Sequence, residues 1–501
     1  MPGTTHAIPA AAATGSTASD LGWAPLAAIA VIWLWIAVAC AINPGQFADS
    51  IEQFNWAHSM EWGYWKHPPL TTWLFGGLAL FTRDAWWTPY LAAALCNAGI
   101  VWFMWKLALR LVTPQAAALA ILMLPLHHVF SWRAQIYNHN TTLLLTVSAF
   151  TWAAVRAVQT GRRRDWVLAG VLAGFALLAK YQAAVAIAAV AAGAWRVGAL
   201  RERRNLAHAA AAALAGVLVF MPHVGWAAAH GWPTLHYVEG SAPVLAPALR
   251  LHALTAFFAT QVGMMGMMLL ACALLAFLPG TPRPAAGEPP AHAPRWIWTL
   301  ILVSAAVLVL VVLVGGVKPA KYWGVGTLQF VPLLLAMLVA HRSRVNAIAV
   351  TLAISAVSTL GSVAYYVHQS EPDAPAPHSA DRLMPASRLA EAVLRDWRAH
   401  SACPLRYVIG DGFTAGLVSA YSGQYPQVLE DIDFDKSPWI DRAQLREDGA
   451  VLVTSPQPLL PLGAQAGAME VPHARKQHGT AWVQWTIVPP QHDCQPQIAG
   501  R

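Results

Sequence analysis

Residues 47–70 read FADSIEQFNWAHSMEWGYWKHPPL, a polar and aromatic stretch lying just past a long apolar run. Asp49 and Glu52 stand three apart, a spacing that puts both carboxylates on one face of a helix. Such a pair can take a proton from a hydroxyl or hold a cation. In Lys66-His67-Pro68-Pro69 each proline fixes its own φ and pushes the residue before it out of helical conformation, so Lys66 and His67 are offered to a ligand from a stiff backbone. The same run also suits a turn that re-enters a membrane. Trp56, Trp62, Tyr64 and Trp65 read first as interfacial belt residues, and second as a surface on which a sugar stacks or a lipid enters. Further polar residues recur at the mouths of later apolar runs: Arg133, Asn138, His139 and Asn140, then Lys180-Tyr181, then Lys318 and Lys321-Tyr322-Trp323. One basic residue alone can simply meet a lipid head group. Several cations converging near two acids suit a phosphate-bearing substrate, whose charge is held while a carboxylate takes a proton.

The elements that must carry these residues are membrane spans. Of the 501 residues, 57% are hydrophobic and 11% charged, where a soluble domain carries roughly a quarter charged residues. Apolar runs near 23–42, 89–109, 115–132, 139–157, 166–180, 182–199, 206–226, 252–278, 296–316, 323–341 and 345–366 predict an all-α membrane bundle of about eleven transmembrane helices. TTWLFGGLALF, after the polar stretch, is too short for a confident span and reads as interfacial or re-entrant. Ionisable residues near a membrane are costly and persist where they bind, conduct or catalyse.

Orientation follows from the basic loops. Arg110, Arg162-Arg163-Arg164, Arg201 with Arg203 and Arg204, Arg283 with Arg295, and Arg342 with Arg344 fall in loops of one parity. Short loops rich in Lys and Arg face the cytoplasm, so the loop 43–88 with the motif, the other polar residues above, and everything past about residue 367 face outward. Residues 1–22 read as a disordered cytoplasmic tail and the first run as an uncleaved span. The net charge of +8 is dispersed in these topogenic clusters, which argues against nucleic acid.

Residues 23–366 thus form one membrane domain, 367–380 a Pro/Ala-rich linker, and 381–501 a small extracytoplasmic α/β domain. In that domain ADRLMPASRLAEAVLRDWRAH has helical apolar spacing, LRYVIGD, QVLEDI, GAVLVTS and AWVQWTIV read as strands, and FTAGLVSAYS and SPWIDRAQLRED as helices. Cys40, Cys96 and Cys272 lie inside apolar runs as small packing residues. Cys403 and Cys494 flank the outer domain, where an oxidising compartment permits a disulfide; sequence leaves their pairing open. The loop PGTPRPAAGEPPAHAPR reads as a flexible linker. Neither a phosphate-cradling glycine loop nor a paired-cysteine metal motif is present, which weighs against a nucleotide-driven pump.

In these motifs the sequence resembles the multi-span glycosyltransferases of the GT-C type, in the group of bacterial aminoarabinose transferases and protein O-mannosyltransferases. The resemblance rests on Asp49 after the first span, Trp56, Trp62-Gly63-Tyr64-Trp65 and Lys66-His67-Pro68-Pro69-Leu70. YNHNTTLLL, LAGVLAGFALLAKYQAAV, MPHVGWAAAHGWPTLHY, KYWGVGTLQFVPLLL and the tail segments RYVIGD, SPWID and GAVLV add to it. It implies a sugar donor carried on a polyprenyl phosphate, transferred with inversion at the outer face of the cytoplasmic membrane to a lipid, glycan or protein acceptor. It implies Asp49 as general base, with Glu52 as the second acid. Lys66, His67, Arg133, Lys180, Lys318 and Lys321 are then candidates for the lipid phosphate, and Trp62, Tyr64, Asn138, Asn140, Tyr181, Tyr322 and Trp323 for lining the substrate. Two departures stand out: the family's Asp-Glu pair is Asp49-Ser50 here, and His67 replaces a Lys or Asp before the prolines. A divalent cation fits beside Asp49 and Glu52, but no third ligand specifies one and no other cofactor is implied. The runner-up is a secondary transporter or lipid flippase, which predicts charges or broken helices at the midplane; here the polar residues gather at one face. A binding module merely tethered by its spans needs far fewer of them.

Overall fold

Hydrophobic length sorts the helices of the computed structural model, which describes residues 21–241, 243–278, 290–340, 346–370, 381–457, 466–472 and 480–494. Six are long and apolar enough to cross a membrane: α1 (Ala24–Ile42), α4 (Thr88–Leu111), α6 (His139–Thr160), α9 (Arg203–Ala229), α13 (Ala293–Leu313) and α16 (Ala347–His368). A seventh is the pair α11 (Pro247–Met264) and α12 (Gly266–Phe277), bent by 63° at Met265. Each predicted span carries helix, but several are shorter or interrupted. The run 115–132 is helical only over α5 (Pro114–Leu122) and then passes through three 3-10 turns, the first of them Leu124–Leu126, which holds Pro125, whose ring opposes continuation of the α-helix. The run 323–341 is split into α14 (Trp323–Leu328) and α15 (Val331–Ala340), while α7 (Arg163–Ala179) and α8 (Ala183–Arg196) meet at an extended Lys180.

Between α1 and α4 lie α2 (Ala48–Ala57), which carries both acids, and α3 (Leu70–Thr82), the segment read as re-entrant; α10 (Pro233–Ser241) follows α9. The tail 1–20, the basic residues Arg283, Arg342 and Arg344, most of PGTPRPAAGEPPAHAPR, and linker residues 371–380 lie outside the described residues.

The C-terminal region folds around a five-stranded sheet of order β2-β1-β3-β5-β4. Its elements are α17 (Ala386–His400), β1 (Tyr407–Gly410), α18 (Thr414–Tyr421), β2 (Gln427–Glu430), α19 (Arg442–Asp448), β3 (Ala450–Val453), β4 (Ala466–Pro472) and β5 (Thr480–Val488). β1 pairs in parallel with β2 and β3, and β5 runs antiparallel to β3 and β4. All but β4 were expected. Cys403 and Cys494 are joined by a disulfide across 91 positions. The sheet region is not a separate body on a stalk, because one continuous apolar cluster runs from Trp35 and Ile51 through Leu389 and Trp397 to Val451 and Trp485. Burying one contiguous apolar surface is what fixes domain against bundle.

Candidate active site

The acid helix is fastened along its length. Just before it, buried Asn43 donates to Gln135 Oε1 at 2.9 Å and Tyr90 Oη at 3.1 Å, and its own Oδ1 accepts from Tyr366 and Arg382. Within it, Gln53 Oε1 accepts from Thr72 at 2.9 Å. Ser50 is buried and donates to the Tyr137 carbonyl at 3.3 Å. A carboxylate there would face a carbonyl oxygen with no donor between them, which accounts physically for the absence of a second acid at this position.

Asp49 is exposed, and its Oδ2 accepts from Asn138 Nδ2 at 2.8 Å. Asn138 also caps α6, its Oδ1 taking the backbone N–H groups of Asn140 at 2.9 Å and Thr141 at 3.1 Å. The cap uses the amide oxygen, so the amide nitrogen is turned toward Asp49. One side chain therefore starts a span and aims the acid.

Glu52 forms an ion pair with Lys66. Burial pushes the Glu52 carboxyl up to about 7, against the pull of Lys66 and with a further push from Asp49. Burial opposes the Lys66 charge, but the Glu52 carboxylate outweighs it and the ammonium is held above its ordinary range. The His67 ring meets the His139 ring at a 37° tilt with centroids 4.0 Å apart. Burial first, then His139, Lys180 and Lys66, hold His67 well below the ordinary imidazole range. This environment disfavours the charged imidazolium at His67.

The remaining predicted residues divide into groups. Arg133, Asn138, Asn140 and Tyr322 line one cavity with Asn97 and Val129. The Arg133 guanidinium lies 4.0 Å from the Tyr322 ring centre and the Lys321 ammonium 4.9 Å from it. Lys180 donates to Asn140 Oδ1 at 2.7 Å, which ties it to the same cavity. Lys318 lines a separate groove with His252 and Lys321. Trp323 packs against Leu254, Phe257, Leu308 and Val312 instead of the cavity. Tyr181 shares a 2.6 Å hydrogen bond with His223 Nε2, and His223 Nδ1 donates to the Trp62 carbonyl at 2.7 Å, linking two loops. The Trp62 ring is exposed and meets Trp73 edge-on. Tyr64 is 1% exposed, stacked on Trp56, with its hydroxyl given to the Ser59 carbonyl, which places it in the core beneath the exposed Trp62.

Sequence reasoning missed Glu430 in the sheet region. It is 4% exposed; its Oε2 accepts from Trp65 Nε1 at 2.9 Å and its Oε1 from Asn55 Nδ2 at 3.1 Å. The only signal was an acid ending a buried strand. Among the described residues, Glu52, His67 and His139 bring three donor atoms within 4.8 Å of one another. These are the residues that could hold a divalent cation, although Lys66 already engages the carboxylate.

Fold and site together define a polytopic enzyme-like scaffold with an acid, a cation cluster and a cavity at one end of the bundle. Residues 66–226 match the family model of dolichyl-phosphate-mannose-protein mannosyltransferases. Over these matched lengths the chain is similar to integral-membrane glycosyltransferases of the GT-C type. It is 26% identical over 345 residues to the lipopolysaccharide core galacturonosyltransferase RgtB of Rhizobium johnstonii, covering 64% of this chain and 66% of that protein's length. In fold it is similar to ArnT from Cupriavidus metallidurans. The undecaprenyl phosphate complex of ArnT gives a TM-score of 0.57 at 14% identity over 94% of this chain and 98% of that one. The apo form gives 0.51 at 14% identity over 87% and 94%.

Proposed function

We propose that the protein transfers a sugar, with inversion, from a polyprenyl phosphate carrier to a lipid, glycan or protein acceptor at the outer face of the cytoplasmic membrane. The observation that carries this reading is the exposed Asp49 carboxylate, aimed by the Asn138 cap beside the cavity that holds Arg133 and Tyr322. Asp49 removes the proton from the acceptor hydroxyl as its oxygen bonds to the anomeric carbon. The bond from that carbon to the phosphate oxygen breaks, and the phosphate leaves with the electron pair. Arg133 and Lys180 stabilise its growing charge, with Lys321 and Lys318 at the rim. Lys66 stays with Glu52, and its role is to keep that acid ionised beside Asp49. In this reading the shorter and broken helices complete about eleven spans, the N-terminus is cytoplasmic, and residues 381–501 form the outer domain. The ArnT complex with undecaprenyl phosphate supports the carrier class, and RgtB supports an envelope acceptor.

The test compares wild type with Asp49→Asn in lipid nanodiscs supplied with a polyprenyl-phosphate sugar, following release of polyprenyl phosphate. A loss of at least about a hundredfold is expected, the usual scale for a missing general base. Equal turnover in both proteins removes Asp49 from the role. A wild type inactive with every donor returns weight to the transporter or flippase.

A further inference from the structure

The acid helix α2 has its ends and its back against the C-terminal region. At its start, the Gly45 N–H donates to the Arg382 carbonyl at 3.0 Å and the Ala386 N–H to the Pro44 carbonyl at 3.2 Å. A Cβ at Gly45 would come 2.5 Å from the Met384 carbonyl oxygen. Arg382, 3% exposed, donates to Asn43 Oδ1 at 3.1 Å and Ser370 Oγ at 2.7 Å and lies over the Tyr366 ring. Along its back, Gly416 of α18 approaches so closely that a Cβ there would stand 2.3 Å from Ile51 and 2.6 Å from the Asn55 amide oxygen. Near its end, Phe54 meets the Tyr425 ring edge-on and Tyr425 donates to the Phe54 carbonyl at 3.3 Å.

One side chain in this grip also reaches the clamp. Glu430 accepts from Asn55 on α2 with one oxygen and from Trp65, the neighbour of Lys66, with the other. A buried carboxylate is costly unless its oxygens are satisfied and a cation is close. Here the two donors come from the acid helix and from the Lys66 turn, and the nearby cation is Lys66 itself. Removing the carboxylate breaks the bridge between the two elements: Trp65 Nε1 loses its acceptor, and Asn55 Nδ2 keeps only its bond to the Gly412 carbonyl at 2.6 Å.

Resting on the glycosyltransferase reading, we infer that Glu430 is a positioning residue through which the C-terminal domain sets the distance between α2 and the Lys66 turn. The domain is then part of the catalytic apparatus and not an appendage. Displacing a reacting group by about 1 Å costs on the order of a hundredfold in rate. Glu430→Ala should therefore lower kcat by roughly ten- to a hundredfold with donor KM little changed, because the cavity of Arg133 and Asn140 is not touched. Glu430→Gln, which keeps one acceptor oxygen, should recover part of the loss. Gly416→Val, which pushes α2 from behind without changing any charge, should mimic Glu430→Ala.

The experiment runs the full-length protein in nanodiscs and reads kcat, KM, the folded fraction, and amide hydrogen exchange across residues 48–57. Faster exchange in that segment for Glu430→Ala, with the folded fraction preserved and kcat reduced, is the expected result. Exchange and kcat both equal to wild type overturn the inference, as does a fall in activity matched by the fall in folded fraction. The exchange readout needs no substrate. A wild type without turnover would strike the glycosyltransferase reading, while the exchange still decides whether Glu430 holds α2.

Discussion

Two polar regions of the molecule are built in opposite ways. The segment from Asn43 to Lys66 is held by buried side chains from α3, α4, α6 and the C-terminal domain, so that Asn43, Ser50, Gln53 and Asn55 are all 6% exposed or less. The segment Lys318–Trp323 sits at a rim: Lys318 and Lys321 are exposed, and the contacts near them are the Tyr322 ring and backbone bonds such as Lys318 N–H to Pro243. Buried, hydrogen-bonded polar side chains are confined to few geometries, whereas an exposed lysine keeps rotamer freedom that a ligand must remove. On the proposed mechanism the proton acceptor is preformed, and the outer cations order when an anion arrives.

That contrast can be broken or sharpened by substitution, beginning with Asp49→Asn and its hundredfold loss. Next in size is Asn138→Ala, which removes both the cap of α6 and the donor that aims Asp49. It should cost about 1 kcal/mol of stability for the cap and lower kcat by about tenfold, checked by thermal unfolding and by turnover. A normal kcat would show that Asp49 needs no aim from that side.

A smaller effect concerns pH. With the Glu52 carboxyl raised to about 7 by burial, protonation below that pH weakens its hold on Lys66, and activity should rise as pH increases through about 7. The same shift carries a stability sign: between the ordinary carboxylate range and about 7 the folded chain binds the extra proton, so folding stability falls as pH rises through that window. Glu52→Gln should remove the inflection near 7 from the rate profile; its persistence would assign the inflection to another group. The smallest change is expected at the rim. Lys318→Ala should leave stability within about 0.5 kcal/mol and raise donor KM by a few-fold, an effect that shrinks in high salt as surface charges are screened. A large loss of kcat there would erase the distinction between the two regions.

Much of the scaffold was legible because it depends on neighbours in sequence. The apolar runs forecast where helices lie, the prolines forecast the Lys66-His67 turn, and alternating or helical spacing forecast every sheet-region element except β4, whose seven residues AGAMEVP lack a clear β pattern. The acids were legible as a helical pair, and Arg133, Asn138, Asn140 and Tyr322 as polar residues at span mouths. Their gathering around one cavity was not, since it depends on how helices pack.

What the sequence by itself determined is the membrane bundle, the stiff clamp and the acid pair, all set by hydrophobic periodicity and by local steric limits on the backbone. Only the tertiary structure decided that Tyr64 belongs to the core, that Ser50 donates to a carbonyl, that His67 sits where burial and neighbouring cations disfavour its charge, and that Glu430 meets Asn55 across 375 positions. The reason is physical: burial and long-range hydrogen bonding are properties of packed surfaces, and a side chain's charge and partner are fixed only once the surface opposite it is in place.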